Sequence, residues 1–192
     1  ANVDRMSALV ADLLDISRIE AGRISLEREF LDLRQVVCEV RDSVMETIRE
    51  RGLTLEVELA PDLPVVQADR MRVIQVLNNL VSNAYRYTPT GGAIEIAVHP
   101  IDDAVQVDVR DTGIGIPEQD MDKLYSKFYR SAEVVKKAIS GTGLGLYIAR
   151  NIVMAHGGRI GVESHVGEGT TIWFALPKDG PAGERTEEGR GL

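Results

Sequence analysis

The chain holds one cysteine in 192 residues, Cys38, which excludes an internal disulfide and suits a reducing compartment. Its neighbours Val36, Val37 and Val40 predict a buried, inert thiol. Aromatic residues make up only 5%, so the core must come from Val, Ile, Leu and Ala. No apolar run approaches the ~20 residues that span a bilayer, and no charged-then-apolar leader opens the chain. A soluble, cytoplasmic chain is expected, cut from a parent that itself can be membrane-anchored. Basic residues are in deficit, 22 against 30 acidic, for a net charge of −8. That balance argues against a nucleic-acid partner but allows a local basic pocket for a phosphate ligand.

What is present is an ordinary hydrophobic content of 44%. Residues 3–21 read as a helix, with Met6, Leu9, Leu13 and Ile16 at 3–4 spacing, Val10 and Leu14 widening the stripe, and Gly22 as a stop. Such a helix needs a partner surface, either its own domain or a bundle between chains. Residues 24–31 look extended, and Asp32 caps a second helix that buries Val36, Val40, Val44 and Ile48 and ends near Gly52. Residues 53–59 alternate apolar and charged as a half-buried strand does. Asp69 caps a third helix reaching about Tyr87, where Thr88-Pro89 and Gly91-Gly92 end it. Two hairpins are predicted, 93–98 with 104–110 and 158–164 with 169–176. Between them lie a short helix near 118–127, a polar stretch over 130–142 and a helix from about Gly143. The tail from Lys178 has almost nothing to bury and reads as disordered. The prediction is an α+β fold of antiparallel strands under helices, a two-layer sandwich preceded by one helix.

Four stretches carry chemistry. In Asn79-Leu80-Val81-Ser82-Asn83-Ala84-Tyr85-Arg86-Tyr87, positions 79, 83 and 87 share a helix face. Two carboxamides there offer neutral oxygens to a hard cation such as Mg²⁺, and Arg86 can reach phosphate oxygens. In Asp111-Thr112-Gly113-Ile114-Gly115-Ile116-Pro117, an acid at a strand end can accept from an exocyclic amine, while the glycines admit a flat ring. Lys127-Phe128-Tyr129-Arg130 pairs aromatics with bases. Gly141-Thr142-Gly143-Leu144-Gly145-Leu146 runs into a helix, whose bare N–H groups make an anion site. It is not a P-loop, since no Gly-Lys-Ser/Thr follows, nor a dinucleotide fingerprint. Each stretch alone has an ordinary structural reading, as a polar stripe, a capped turn, a packing anchor or a flexible loop.

In this order, the four stretches resemble the N, G1, F and G2 boxes of histidine kinases within the GHKL group, which includes gyrase-type topoisomerases, heat-shock chaperones and mismatch-repair ATPases. The resemblance runs from about Leu31 to Pro177 and implies a Bergerat-type ATP-binding fold with ATP and Mg²⁺. It implies that Asn83 is the principal Mg²⁺ ligand and Asn79 its helper, with both and Arg130 forming the catalytic set. Arg86 stands where the family often has Lys. Tyr87 would stack near adenine, Asp111 would bind the adenine amine, and Gly113, Gly115 and Ile116 would shape the base pocket. Residues 131–140 look like an ATP lid, with Gly141, Gly143 and Gly145 cradling phosphates at its far hinge and Arg130 aiding the γ-phosphate. Lys127, Thr142 and Leu144 complete the implied nucleotide-binding set.

Hydrolytic members of the group place a Glu one turn before the metal-binding Asn as general base; here that position is Asn79, and an amide cannot take a proton. Phosphotransfer, which depends on positioning and charge neutralisation, is therefore favoured over hydrolysis. Residues 5–22 look like the end of the second dimerisation helix of histidine kinases, whose first helix carries the phosphorylated histidine. His99, His156 and His165 lack an acidic neighbour in helical context, so none is expected to accept phosphate. The implied division is 1–22 dimerisation helix, 23–178 catalytic domain and 179–192 tail, from a parent that homodimerises and passes phosphate to a response regulator. Alternatives are a serine kinase of the same fold and a nucleotide-binding domain without activity.

Overall fold

The computed structural model describes residues 2–22, 24–131 and 141–180. The lid expected over 131–140 and the tail expected over 179–192 fall outside these residues, save Ser131, Asp179 and Gly180. Helix α1 (Asn2–Glu20) comes first, then strand β1 (Glu29–Leu31) and α2 (Leu33–Glu50). Asp32 caps α2 by accepting the Arg34 N–H at 2.9 Å. Strands β2 (Thr54–Leu59) and β3 (Val66–Ala68) lead to α3 (Arg70–Tyr87). The hairpin β4 (Ala93–Ile101) and β5 (Ala104–Asp111) is followed by α4 (Glu118–Met121). Helix α5 (Gly145–Ala155) precedes the hairpin β6 (Arg159–His165) and β7 (Gly169–Pro177).

The main sheet has the order β2-β4-β5-β7-β6, and β1 pairs with β3 in a separate two-stranded sheet. Alternation sends Ile94, Ile96 and Val98 of β4, and Val105, Val107 and Val109 of β5, into the core. Helices α2, α3 and α5 cover that face with Val36, Val40, Leu77, Leu80, Ile148 and Ile152. Fully burying each such side chain stabilises by roughly 1.5–3 kcal/mol. The architecture is thus the expected two-layer α+β sandwich with a preceding helix.

Several details differ from the sequence expectation. The sheet is mixed, since β2 and β4 run parallel; α3 lies between them in sequence and returns the chain to the same sheet end. The sequence does not predict strand β3, because the three residues Val66-Gln67-Ala68 are too few to establish a period. The helix near 118–127 is confined to four residues. Beyond it the N–H groups of Lys123, Leu124 and Ser126 bond three residues back rather than four, forming turns. The helix expected from Gly143 starts at Gly145, because Gly143 sits at φ +73°. Cys38 is half-buried, for it lies off the stripe formed by Val36, Val37 and Val40.

Helix α1 turns one edge onto its own domain. Ile16 is 7% exposed and Ile19 packs against the core beside α5, whereas Met6, Val10, Leu13 and Leu14 are each more than half exposed.

His156, 1% exposed, ties α5 to α3: its Nε2 accepts the Asp69 N–H at 2.9 Å, and its Nδ1 donates to Ile152 O at 2.8 Å. Burial lowers its pKa, and nearby Arg28 adds to the effect, against the Ile152 hydrogen bond and Asp69. The unfolded chain therefore takes up this proton first. The stability that neutral His156 contributes is full above the ordinary value of about 6.5 and falls as the pH drops below it. Denaturant titrations at pH 7.5 and 5.5 are expected to show this loss, and His156→Gln to flatten the slope. An unchanged slope would show that His156 carries none of it.

Candidate functional site

Helix α3 supplies the first wall. Its N-terminus is capped by Asp69, whose Oδ1 accepts the Arg72 N–H at 3.1 Å. Its last turn closes with the Thr88 hydroxyl donating to Ala84 O at 2.7 Å, where Pro89 forces extended backbone. Asn83, Arg86 and Tyr87 then line one cavity. Burial raises the Tyr87 phenol pKa, opposed by Arg86 and Arg130.

Strand β5 supplies the second. Asp111 follows Val107 and Val109 on the core-facing side and is 7% exposed. Its carboxylate accepts N–H groups from Gly113, at 2.8 Å, and Thr170. Burial outweighs these bonds and pushes the acid up to about 6. The turn after it is fastened to α3 by the Ile114 N–H donating to Tyr87 O at 3.2 Å. Gly113 has to be glycine there: a Cβ would meet Asp111 Oδ1 at 2.5 Å and Tyr87 O at 2.6 Å. Gly115, at φ +69°, lies against the β6–β7 hairpin, where a Cβ would stand 2.1 Å from His165 O. Ile116 completes this wall, its N–H donating to Ser164 Oγ at 2.9 Å.

The glycine-rich loop closes the third side. Gly141, Thr142 and Gly143 line the cavity together with Arg130, and the Cβ position of Gly141 lies 4.0 Å from the Arg86 guanidinium. Arg86 and Arg130 thus stand with bare backbone around one cavity that also holds the buried carboxylate of Asp111. Apolar Ile114, Leu124, Leu146 and Ile172 line the space among them.

Ten of the fifteen residues singled out from sequence line this cavity: Asn83, Arg86, Tyr87, Asp111, Gly115, Ile116, Arg130, Gly141, Thr142 and Gly143. Gly113 braces the Asp111 turn from behind, and Leu144 is fully buried. Gly145 opens α5 against Asn79, whose Oδ1 lies 3.2 Å from the Gly145 Cβ position. Lys127 turns elsewhere, pairing with Glu20 of α1 and lying 5.2 Å from the Tyr147 ring centroid. Sequence reading missed Tyr129 and Thr170 as lining residues. Tyr129 bonds the Asp120 carboxylate, which pushes its phenol up to about 12. Thr170 reaches the site because β5 and β7 pair Asp111 with it. The one available signal is the hydroxyl pair Thr170-Thr171 directly after Gly169.

A cleft with a buried acceptor, apolar walls and two arginines beside bare N–H groups suits a flat heteroaromatic amine bearing an anionic tail. Comparison with known proteins agrees. Residues 68–180 match the family described as histidine kinase-, DNA gyrase B- and HSP90-like ATPases. Sensor histidine kinase WalK of Bacillus subtilis is 37% identical over 180 residues, covering 91% of this chain and 29% of WalK. The chain thus spans less than a third of that relative's length. Full-length ShkA, solved in complex with AMPPNP, superposes with a TM-score of 0.81 at 28% identity, over 91% of this chain and 36% of ShkA. Histidine kinase ThkA, solved with response regulator TrrA, gives 0.72 at 30% identity, over 92% of this chain and 49% of ThkA. The lining of the cleft and these likenesses converge: the chain belongs to the histidine kinase-, gyrase B- and HSP90-like ATPase family, as an ATP-binding catalytic domain of the sensor histidine kinase type.

Proposed function

We propose that the cleft binds Mg²⁺-ATP and delivers the γ-phosphoryl group to a histidine on the dimerisation helices of a longer, homodimeric parent. The phosphate then passes to an aspartate of a response regulator. The observation that carries this reading is the buried Asp111 acceptor sharing one cavity with Arg86, Arg130 and the Gly141–Gly143 loop. Asp111 accepts the adenine amine, Tyr87 and Ile116 flank the base, and the arginines and loop amides hold phosphate oxygens. The donor set also fits Mg²⁺. Among the described residues no three His, Cys, Asp or Glu side chains converge, so a protein cage is lacking. Two carboxamides, Asn83 and Asn79, suit an ion that keeps waters and phosphate oxygens as its other ligands. The bound ion would neutralise charge on the β- and γ-phosphates.

With an amide at Asn79, no carboxylate stands one turn before Asn83 to draw a proton from water. The cleft is therefore read as a phosphoryl donor site: the γ-phosphorus bond to the bridging oxygen breaks, a bond to the acceptor nitrogen forms, and ADP leaves. The chain's own histidines do not suit that acceptor role. His156 is buried, His99 lies 3.3 Å from Asp108 in the sheet, and His165 ends β6. Residues 1–22 are read as part of the dimerisation hairpin, with the exposed Val10, Leu13 and Leu14 as its packing edge, and 23–178 as the catalytic domain. No helix of the described residues is long and apolar enough to cross a membrane, and a cytoplasmic setting is proposed.

Calorimetric titration tests the reading. Mg²⁺-ATP is expected to bind the wild type, and Asn83→Ala to lose about tenfold or more in affinity with Mg²⁺ but little with EDTA. Equal Mg²⁺ dependence in both proteins would remove Asn83 from the metal site. Acid-labile phosphate on this chain after incubation with ATP would overturn the assignment of the acceptor to another segment.

A further inference from the structure

Outside the cleft, α1 makes several polar contacts with distant segments of the described chain. Asp12, Asp15, Ile16, Ile19 and Glu20 fall on one helical face. Ile16 and Ile19 meet the core. Asp15 accepts from Arg72 Nη1 at 2.9 Å and from Gln75 Nε2 at 2.6 Å, both on α3. Glu20 pairs with Lys127. Asp12 Oδ2 accepts from Thr142 Oγ1 at 3.4 Å. Thr142 is a cleft residue, and its Oγ1 in turn accepts the Leu144 N–H at 3.2 Å. The hydroxyl has one proton to give, and in this arrangement gives it to α1. Without touching it, Asp12 also feels the charge of Arg86, a cation of the same cleft.

We propose that Asp12 sets the nucleotide affinity of the cleft: docked α1 holds a carboxylate against Thr142 and within the field of the Arg86 charge, and the phosphate tail of the nucleotide competes with it for both. The inference rests on the ATP reading above. A triphosphate has the same sign of charge as Asp12 and needs the same two groups. Asp12 is half-buried, where repulsion between like charges exceeds its value in water. Burial already disfavours its charge, Asp15 adds to that, and Thr142 and Arg86 work against it. An anion that draws these two groups away removes what compensates the carboxylate. Linkage then requires reciprocity: docked α1 weakens ATP binding by the factor by which ATP weakens docking. Displacement of α1 would thereby be read in the cleft as a change in ATP affinity.

Titration of the full chain with Mg²⁺-ATP and with adenosine tests this. Asp12→Asn keeps the shape and the acceptor for Thr142 but removes the charge. ATP affinity is expected to rise roughly five- to tenfold, while that of adenosine, which lacks phosphates, stays the same. In the wild type, ATP should speed amide hydrogen exchange across residues 9–20. Equal ATP affinity in the two proteins overturns the competition and leaves the nucleotide reading standing. So does weaker binding by Asp12→Asn, which would make α1 a support, or an equal gain for adenosine. Absence of ATP binding by both proteins overturns the nucleotide reading and the competition with it.

Discussion

Asp111→Asn is expected to abolish measurable ATP binding while making the protein more stable. Two effects of one buried carboxylate pull in opposite directions. Its pKa of about 6, against 3.8 for an ordinary aspartate, means that folding penalises the charged form. The difference corresponds to about 3 kcal/mol at neutral pH. Asparagine removes the charge and keeps one acceptor oxygen for the N–H groups of Gly113 and Thr170, though neutral hydrogen bonds are weaker. A net gain of about 1–2 kcal/mol in unfolding free energy is expected. The sign has a pH signature. Because the folded pKa is raised, the wild type regains stability as the pH falls from about 6 through 3.8, so the advantage of the variant should vanish near pH 4. Binding moves the other way: an amide offers a donor as readily as an acceptor to the adenine amine, and a loss of about 100-fold or more is expected. Urea titrations at pH 7.5 and 4 beside calorimetry with ATP would decide it. A variant less stable than wild type at pH 7.5 would show that the carboxylate is not held at a cost.

The second large effect is Gly169→Ala, compared with Gly167→Ala two residues earlier. Both glycines have positive φ, +106° and +84°, so both replacements meet backbone strain. Gly167 has nothing within 4 Å of its Cβ position, and about 1 kcal/mol is expected there. At Gly169 the added methyl would stand 1.9 Å from the Asp111 carbonyl oxygen. Backbone cannot swing aside as a side chain can, so the start of β7 has to separate from the end of β5. The Asp111–Thr170 pairing goes with it. A loss on the order of 3–5 kcal/mol is expected, together with weakened ATP binding, because Thr170 and Asp111 share the cleft wall. Equal denaturation midpoints for the two variants would show that the hairpin accommodates the methyl, and that the close approach is not structurally required.

Much of this molecule was legible from local rules. The Asp32 and Asp69 caps, the stop at Thr88-Pro89 and both hairpins depend on neighbours a few residues away, and local sequence states those interactions directly. The cleft was legible to the extent that its parts carry their own chemistry: two amides one turn apart, an acid beside glycines, a glycine run at a helix start. What stayed hidden depends on partners far along the chain. Strand β3 is a strand because β1 pairs with it. Thr170 reaches the cleft by pairing with Asp111, and Lys127 pairs with Glu20 of α1 and does not line the cleft.

Local sequence therefore dictates which chemical groups are available, on which elements, and the class of nucleotide chemistry they suit, since periodicity, capping and motif spacing act over a few residues. Which of those groups face one cavity, and how their charges are tuned, follows from long-range packing. Burial raises Asp111, and the docking of α1 sets Asp12 beside Thr142. Desolvation and charge proximity depend on distances in space between residues that lie far apart along the chain.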